Sequence, residues 1–216
     1  MPTPKQGYRL KDGSRVPGVT TILSRFKDSG GLIRWAYNMG KEGRDMDAER
    51  DAAADAGTLV HAWVDAFVCG REREPVPNTV ASLMLDKAES GFGAFKHWWD
   101  MSRVEIIATE QQLVSEDYRY GGTPDAIGKI NNALVVIDWK TSNAIYSEML
   151  VQLAAYANLW EEETGYKIQG FHLCRFAKEH GDFSHHYWKD LSNAWRQFVL
   201  FRQAYELDKE LKKRAA

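Results

Sequence analysis

Gly121-Gly122-Thr123-Pro124-Asp125, the apolar run Ala133-Leu134-Val135-Val136-Ile137, then Asp138-Trp139-Lys140-Thr141 and Gln152-Leu153-Ala154-Ala155-Tyr156 decide how this chain is read. In a strand from Leu134 to Thr141 side chains alternate, so Asp138 and Lys140 share one face and Trp139 takes the other. Asp125 lies 13 positions before Asp138, near a second strand that a turn at Asn131-Asn132 folds back beside the first. Two carboxylates and an ammonium then converge on one spot. An isolated Asp-x-Lys is usually a solvated surface pair on an edge strand. Here the apolar run before it reads as a strand covered on both faces, which puts the charges at the rim of a core.

That grouping suits metal-assisted hydrolysis of a phosphodiester. Mg²⁺ takes oxygen ligands and is usually held by one or two carboxylates, with water and substrate phosphate completing its shell. A bound dication lowers the pKa of water and offsets charge on the phosphate, and a lysine beside it stabilises the transition state.

Pro124-Asp125, then Asp138-x-Lys140, then a glutamine and a tyrosine four apart resemble the PD-(D/E)XK nuclease superfamily, and in particular its RecB-type exonuclease branch of phage exonucleases and the mitochondrial genome maintenance exonuclease. Gly57-Thr58-Leu59-Val60-His61 resembles that branch's upstream histidine motif. The opening Tyr8-Arg9-Leu10 to Asp12-Gly13 and Val16 to Leu23 is similar to phage members, so the likeness runs from about Tyr8 to Tyr156. The resemblance implies an αβββαβ core, an α/β fold with a central mixed sheet flanked by helices and an N-terminal helical extension. It implies His61, Asp125, Asp138 and the Trp139 carbonyl as metal ligands, with Lys140 the catalytic lysine. It also implies that Gln152 and Tyr156 line the site, and it matches Glu110 to an acid on the first strand of the sheet. The expected cofactor is Mg²⁺ or Mn²⁺.

Each assignment has a plainer competitor in the residues themselves. His61 sits among Leu59, Val60, Trp63, Val64 and Phe67, as a packed core histidine would. Gln152 and Tyr156 share a helix face that also serves packing. Glu110 also reads as an exposed strand residue, and Asp65, one turn after His61, as a supporting or surface acid rather than a ligand. The tryptophans read as core before they read as base-stacking platforms.

With 216 residues and 44% hydrophobic content, the chain is long enough for one well-buried core. We expect a single nuclease domain over 1–216: an arm and helices with the histidine motif (1–103), the catalytic sheet and motif helix (104–190) and a C-terminal helix (191–216). Cys69 and Cys174 are the only cysteines. They suggest a reducing compartment and argue against an iron–sulfur cluster. His172, Cys174, His180, His185 and His186 fit no familiar zinc spacing, so no zinc is expected. No apolar run reaches membrane-spanning length and the start has no signal region, which predicts a cytoplasmic protein with no membrane role.

Net charge is −2, unlike a protein that coats nucleic acid. From Lys5 to Arg44, however, nine bases face three acids, net +6, and from Asp45 to Glu74 three bases face eight acids, net −5. The first segment reads either as a basic arm tracking a phosphate backbone or as an ordinary solvated surface.

The predicted elements are helices at Val19–Phe26, Leu32–Met39, Asp45–Val68 and Thr79–Met101, then strands at Val104–Val114, Tyr118–Ile130 and Ala133–Thr141. A helix at Ser147–Thr164 follows, then strands at Lys167–Phe176 and Phe183–Lys189 joined by His180-Gly181-Asp182, and a helix at Leu191–Lys213. There is no phosphate-loop or dinucleotide motif. The leading expectation is a metal-dependent DNA exonuclease acting on single-stranded DNA or free ends, in phage recombination or replication with a protein partner from that machinery. The alternatives are a structure- or site-selective endonuclease on the same core, or an inactive DNA-binding or scaffolding module.

Overall fold

A computed structural model describes residues 7–27, 30–45, 59–76, 82–176 and 183–215. Two short strands, β1 (Tyr8–Arg9) and β2 (Arg15–Val16), open the chain and lead into helices α1 (Val19–Arg25) and α2 (Gly30–Lys41). Helix α3 is described over 59–68, and α4 spans Ser82–Ser102. The histidine motif's Gly57 and Thr58, and the predicted start of the α3 helix, fall outside the described residues, as does the His180-Gly181-Asp182 connection.

A five-stranded mixed sheet forms the centre, in the order β3 (Glu105–Thr109), β6 (Ala126–Ile130), β7 (Ala133–Thr141), β8 (Gly170–Phe176), β9 (Phe183–Trp188). Strands β7 and β8 are parallel and the other pairs antiparallel. A parallel pair needs a crossover. Helix α5 provides it and spans Ser147–Thr164, the bounds the sequence predicts, stopping at Gly165 in the left-handed region. Helix α6 (Ser192–Ala215) closes the chain.

Two predicted strands are each broken in two. Val104–Val114 splits at Glu110, whose φ of 49° turns the chain away, and β4 (Leu113–Ser115) then pairs with β5 (Tyr120–Gly122) in a separate two-stranded sheet. Tyr118–Ile130 splits at Thr123 to Asp125. Three polar residues in a row, Glu110-Gln111-Gln112, and the run Gly121-Gly122-Thr123-Pro124-Asp125 interrupt the alternation at the two breaks, and the long predicted strands ran through these signals. The strand predicted from Lys167 begins at Gly170.

Side chains from the two faces of the sheet build two cores. On one face Ile127, Val136 and Leu173 pack with α1, α5 and α6. On the other, Val135, Ile137, Trp139 and Cys174 pack with α3 and α4, where Phe92, Phe95 and Trp98 form an aromatic cluster. Trp139 is 1% exposed, so it is core. The sheet is thus covered on both sides, and its charged residues can only reach water at its rim.

Candidate active site

The hairpin from β6 to β7 positions the first two acids. Asn131 and Asn132 both have positive φ, the pairing of residues that a two-residue hairpin turn favours. That turn fixes the register Ala126↔Ile137, and one residue further Asp125 faces Asp138. Both are buried, at 3% and 0% exposure. Asp125 Oδ2 accepts the Trp139 backbone N–H at 2.9 Å, which ties the end of one strand to the other.

Lys140, on the same strand face as Asp138, places Nζ 2.7 Å from Asp138 Oδ2. The contact is a close ion pair, and Asp138 Oδ1 has no partner of its own. Two buried carboxylates sharing one ammonium are short of positive charge. Burial, then repulsion from Asp138, pushes the Asp125 carboxyl up to about 7, although Lys140, His61 and the Trp139 N–H pull the other way. Burial works to lower the Lys140 pKa, but the two carboxylates outweigh it and raise it. Lys140 therefore stays an ammonium.

His61 arrives from α3, which packs on the opposite face of the sheet from α5 and meets the site at the rim. Its Nε2 is 3.9 Å from Asp125 Oδ2. Its other nitrogen, Nδ1, is 3.1 Å from Asp65 Oδ2, while Asp65 Oδ1 accepts the Trp139 indole N–H at 3.2 Å. Asp65 is thus the brace between helix and strand. Burial acts to lower the His61 pKa, but Asp65 and Asp125 more than offset it and the net direction is upward. The sequence offered Asp65 only as a supporting or surface acid. Its i+4 spacing from His61 was visible there, but its bond to Trp139, 74 positions away, was not.

From α5, Gln152 Nε2 donates to Tyr156 Oη at 2.7 Å, which leaves the Tyr156 hydroxyl proton free to point elsewhere. Burial, with the Asp138 and Asp125 charges adding to it, raises the Tyr156 pKa well above its ordinary value, so the phenol stays neutral. Gly122 lets the helix come this close, and Gly121 does the same for Tyr8 of β1. A Cβ on Gly122 would lie 2.7 Å from Tyr156 Cε1, and one on Gly121 2.3 Å from Tyr8 Cγ. Tyr8 Oη also hydrogen-bonds Thr123 Oγ1 at 2.9 Å.

Glu110 stands apart. Its backbone N–H donates to the Asp125 carbonyl at 3.2 Å, but its half-exposed carboxylate lies 3.8 Å from Arg71. The basic N-terminal segment is partly neutralised by pairs at Arg25–Asp208, Lys27–Glu148 and Arg44–Glu42.

Among the described residues no three His, Cys, Asp or Glu side chains are grouped as a metal cage. Two facing carboxylates nonetheless suit a hard dication, because Mg²⁺ leaves much of its shell to water and phosphate. Asp138 is fully buried with one ammonium beside Oδ2 and no partner on Oδ1, and this is the strongest sign of fit, since a buried carboxylate oxygen without a partner is costly unless a cation or proton relieves it.

The sequence profile of the PD-(D/E)XK nuclease superfamily matches residues 32–210, spanning the whole central sheet and the site residues from His61 to Tyr156. The chain belongs to the PD-(D/E)XK nuclease superfamily. No curated protein matches it. Among solved structures, a presumed exonuclease of Eubacterium rectale is 14% identical with a TM-score of 0.47, over 67% of this chain and 64% of that one; this nuclease therefore spans just under two thirds of that protein's length. LHK-Exo in complex with dAMP is 14% identical, TM-score 0.38, over 73% of this chain and 83% of that one. An alkaline exonuclease of Laribacter hongkongensis is 12% identical, TM-score 0.33, over 74% and 86%. These overlaps are partial, and the assignment of the nuclease rests on the family match. Among its described residues, no helix is long and apolar enough to cross a membrane.

Proposed function

We propose that this nuclease is a divalent-metal-dependent deoxyribonuclease, acting as an exonuclease on single-stranded DNA or on DNA with free ends. One observation carries the metal-dependent reading. Asp125 and Asp138 are buried face to face and, among the described residues, only the Lys140 ammonium is in ion-pair contact with Asp138, an arrangement that a bound dication would balance. Preference for ends, and a setting in phage recombination or replication, rest on the motif order that resembles the RecB-type branch.

His61, Asp125, Asp138 and the Trp139 carbonyl are the proposed metal ligands. These groups would hold Mg²⁺ or Mn²⁺, whose chemistry would be positive charge beside the phosphate and a lowered pKa for water. Lys140 keeps its proton, so it acts as a fixed charge that orients the attacking water and steadies the negative transition state rather than as a base. Gln152 and Tyr156 form a neutral hydrogen-bonded wall that holds the Lys140 side in place and offers the phenol proton to a phosphate oxygen. For Glu110 we propose only a backbone part, through its N–H to the Asp125 carbonyl.

A time course on end-labelled linear and circular DNA, single- and double-stranded, with Mg²⁺, Mn²⁺ or chelator, tests this reading. Cleavage of linear substrates that stops with chelator and spares circles is expected. Cutting of circular single strands turns the assignment to an endonuclease, and no cleavage of any substrate with metal overturns it.

A further inference from the structure

We propose that Arg175 is a phosphate-binding residue of this site, gripping a phosphodiester group that adjoins the one being cut. The inference rests on the nuclease reading above and extends it to a residue that none of the recognised motifs contains.

Register places Arg175 beside the reacting centre. In the parallel β7–β8 pair Asp138 faces Leu173 and Lys140 faces Arg175. Leu173 packs into the α1–α5–α6 core, so Arg175, two residues on, projects from the same sheet face as Asp138 and Lys140. Adjacent strands lie about 4.8 Å apart. The guanidinium therefore starts one strand over from the catalytic lysine, a displacement on the scale of one step along a nucleic-acid strand.

Its partners leave its charge unspent. Arg175 Nε donates to Ser184 Oγ at 2.9 Å, and Nη1 donates to the Ser142 carbonyl at 3.0 Å and the Asn143 carbonyl at 3.4 Å. All three acceptors are neutral oxygens, and among the described residues no carboxylate is in ion-pair contact with the group. Ser184, having accepted from Arg175, is free to donate its own proton to His186 Nε2 at 3.1 Å. The half-buried fork is thus held in one orientation at the end of β7 without being neutralised. A planar, fixed guanidinium with its charge intact, and with Nη2 making none of these contacts, is suited to a phosphate.

The test compares Arg175→Gln and Arg175→Lys with wild type on a short single-stranded oligonucleotide and on thymidine 5′-(p-nitrophenyl phosphate), which has no adjoining phosphate. With Mn²⁺, Arg175→Gln should raise KM for the oligonucleotide by about 10- to 100-fold, the scale of a hydrogen bond to a charged group. It should also flatten the fall of log(kcat/KM) with log salt by about 0.7, the slope for one phosphate contact on a single strand, while the small diester changes less than about 3-fold. Arg175→Lys should restore the salt slope and only part of KM. Should Arg175→Gln fail to fold, wild type on oligonucleotides with one neutral methylphosphonate beside the scissile bond gives the same answer, and a loss of about 10-fold or more is expected. Equal losses on both substrates, an unchanged salt slope, or indifference to the methylphosphonate on either side would overturn the proposal. Wild type that cleaves neither substrate would instead remove the nuclease reading beneath it.

Discussion

Replacing Asp125 by Asn should stabilise the metal-free protein at alkaline pH while removing a ligand from the proposed metal site. Asp125 is buried opposite Asp138, and its carboxyl keeps its proton up to about 7, against an ordinary value of 3.8. The folded state therefore binds the proton more tightly than the unfolded state. Stability from this group is full below about pH 4 and is lost as pH rises to about 7. The gap of roughly 3 units at 1.36 kcal/mol each corresponds to about 4 kcal/mol lost at pH 8. Asparagine carries no charge and still accepts the Trp139 N–H, and its amide can donate to an Asp138 oxygen that has no donor. For a chain of this size each kcal/mol moves Tm by about 2–4 °C, so Asp125→Asn should raise Tm by on the order of 10 °C at pH 8 in chelator. At pH 4.5 the gain should shrink to about a quarter, because Asp125 is then protonated in the fold. Thermal unfolding followed by circular dichroism at both pH values checks this, and adding Mg²⁺ at pH 8 should raise the Tm of wild type but not of the variant. An equal change at both pH values, or a less stable variant at pH 8, would refute the claim that these carboxylates repel each other in the empty site.

Lys140→Ala and Asp138→Ala should each lower metal-dependent cleavage by at least about 10² with the fold intact, the usual scale for removing one charged stabiliser; purified variants with wild-type rates would remove both from the mechanism. Asp65→Ala should weaken metal binding by about 10- to 100-fold, as loss of a ligand's supporting carboxylate does, and isothermal titration with Mn²⁺ reads it, while the Trp139 indole N–H resonance should shift because its acceptor is gone. His172 is buried against His185, and burial pulls its pKa down to about 4 from 6.5. It is neutral in the fold, so stability should fall by about 3 kcal/mol as pH drops from 6.5 to 4. His172→Gln, which keeps a partner for His185, should remove that slope, and urea melts of both proteins across the range test it. Gly122→Ala should cost about 1–3 kcal/mol by overpacking against Tyr156 and lower activity by moving that side chain; a variant as stable and active as wild type would show that the close approach is not needed.

The hairpin that brings Asp125 to Asp138 was legible in the sequence. A two-residue turn at Asn131-Asn132 and strict alternation in β7 fix register locally, so the facing carboxylates and the Asp138–Lys140 pair follow from spacing alone. The α5 bounds were equally plain, marked by Gly165 at the helix end. The breaks at Glu110 and at Thr123 to Asp125 were marked only by short polar and Gly-Pro interruptions, which do not say that the chain there leaves one sheet for another. What only tertiary structure decided is which distant elements meet at the rim. His61 approaches Asp125 because α3 packs on the far face of the sheet. Asp65 braces it because the Trp139 ring points that way, and Arg175 stands beside Lys140 because β7 and β8 run parallel through a crossover. Local pattern specifies which side chains share a face within a strand or helix. It carries no information on how faces far apart in the chain are brought together, which is set by the packing of two apolar cores against one sheet.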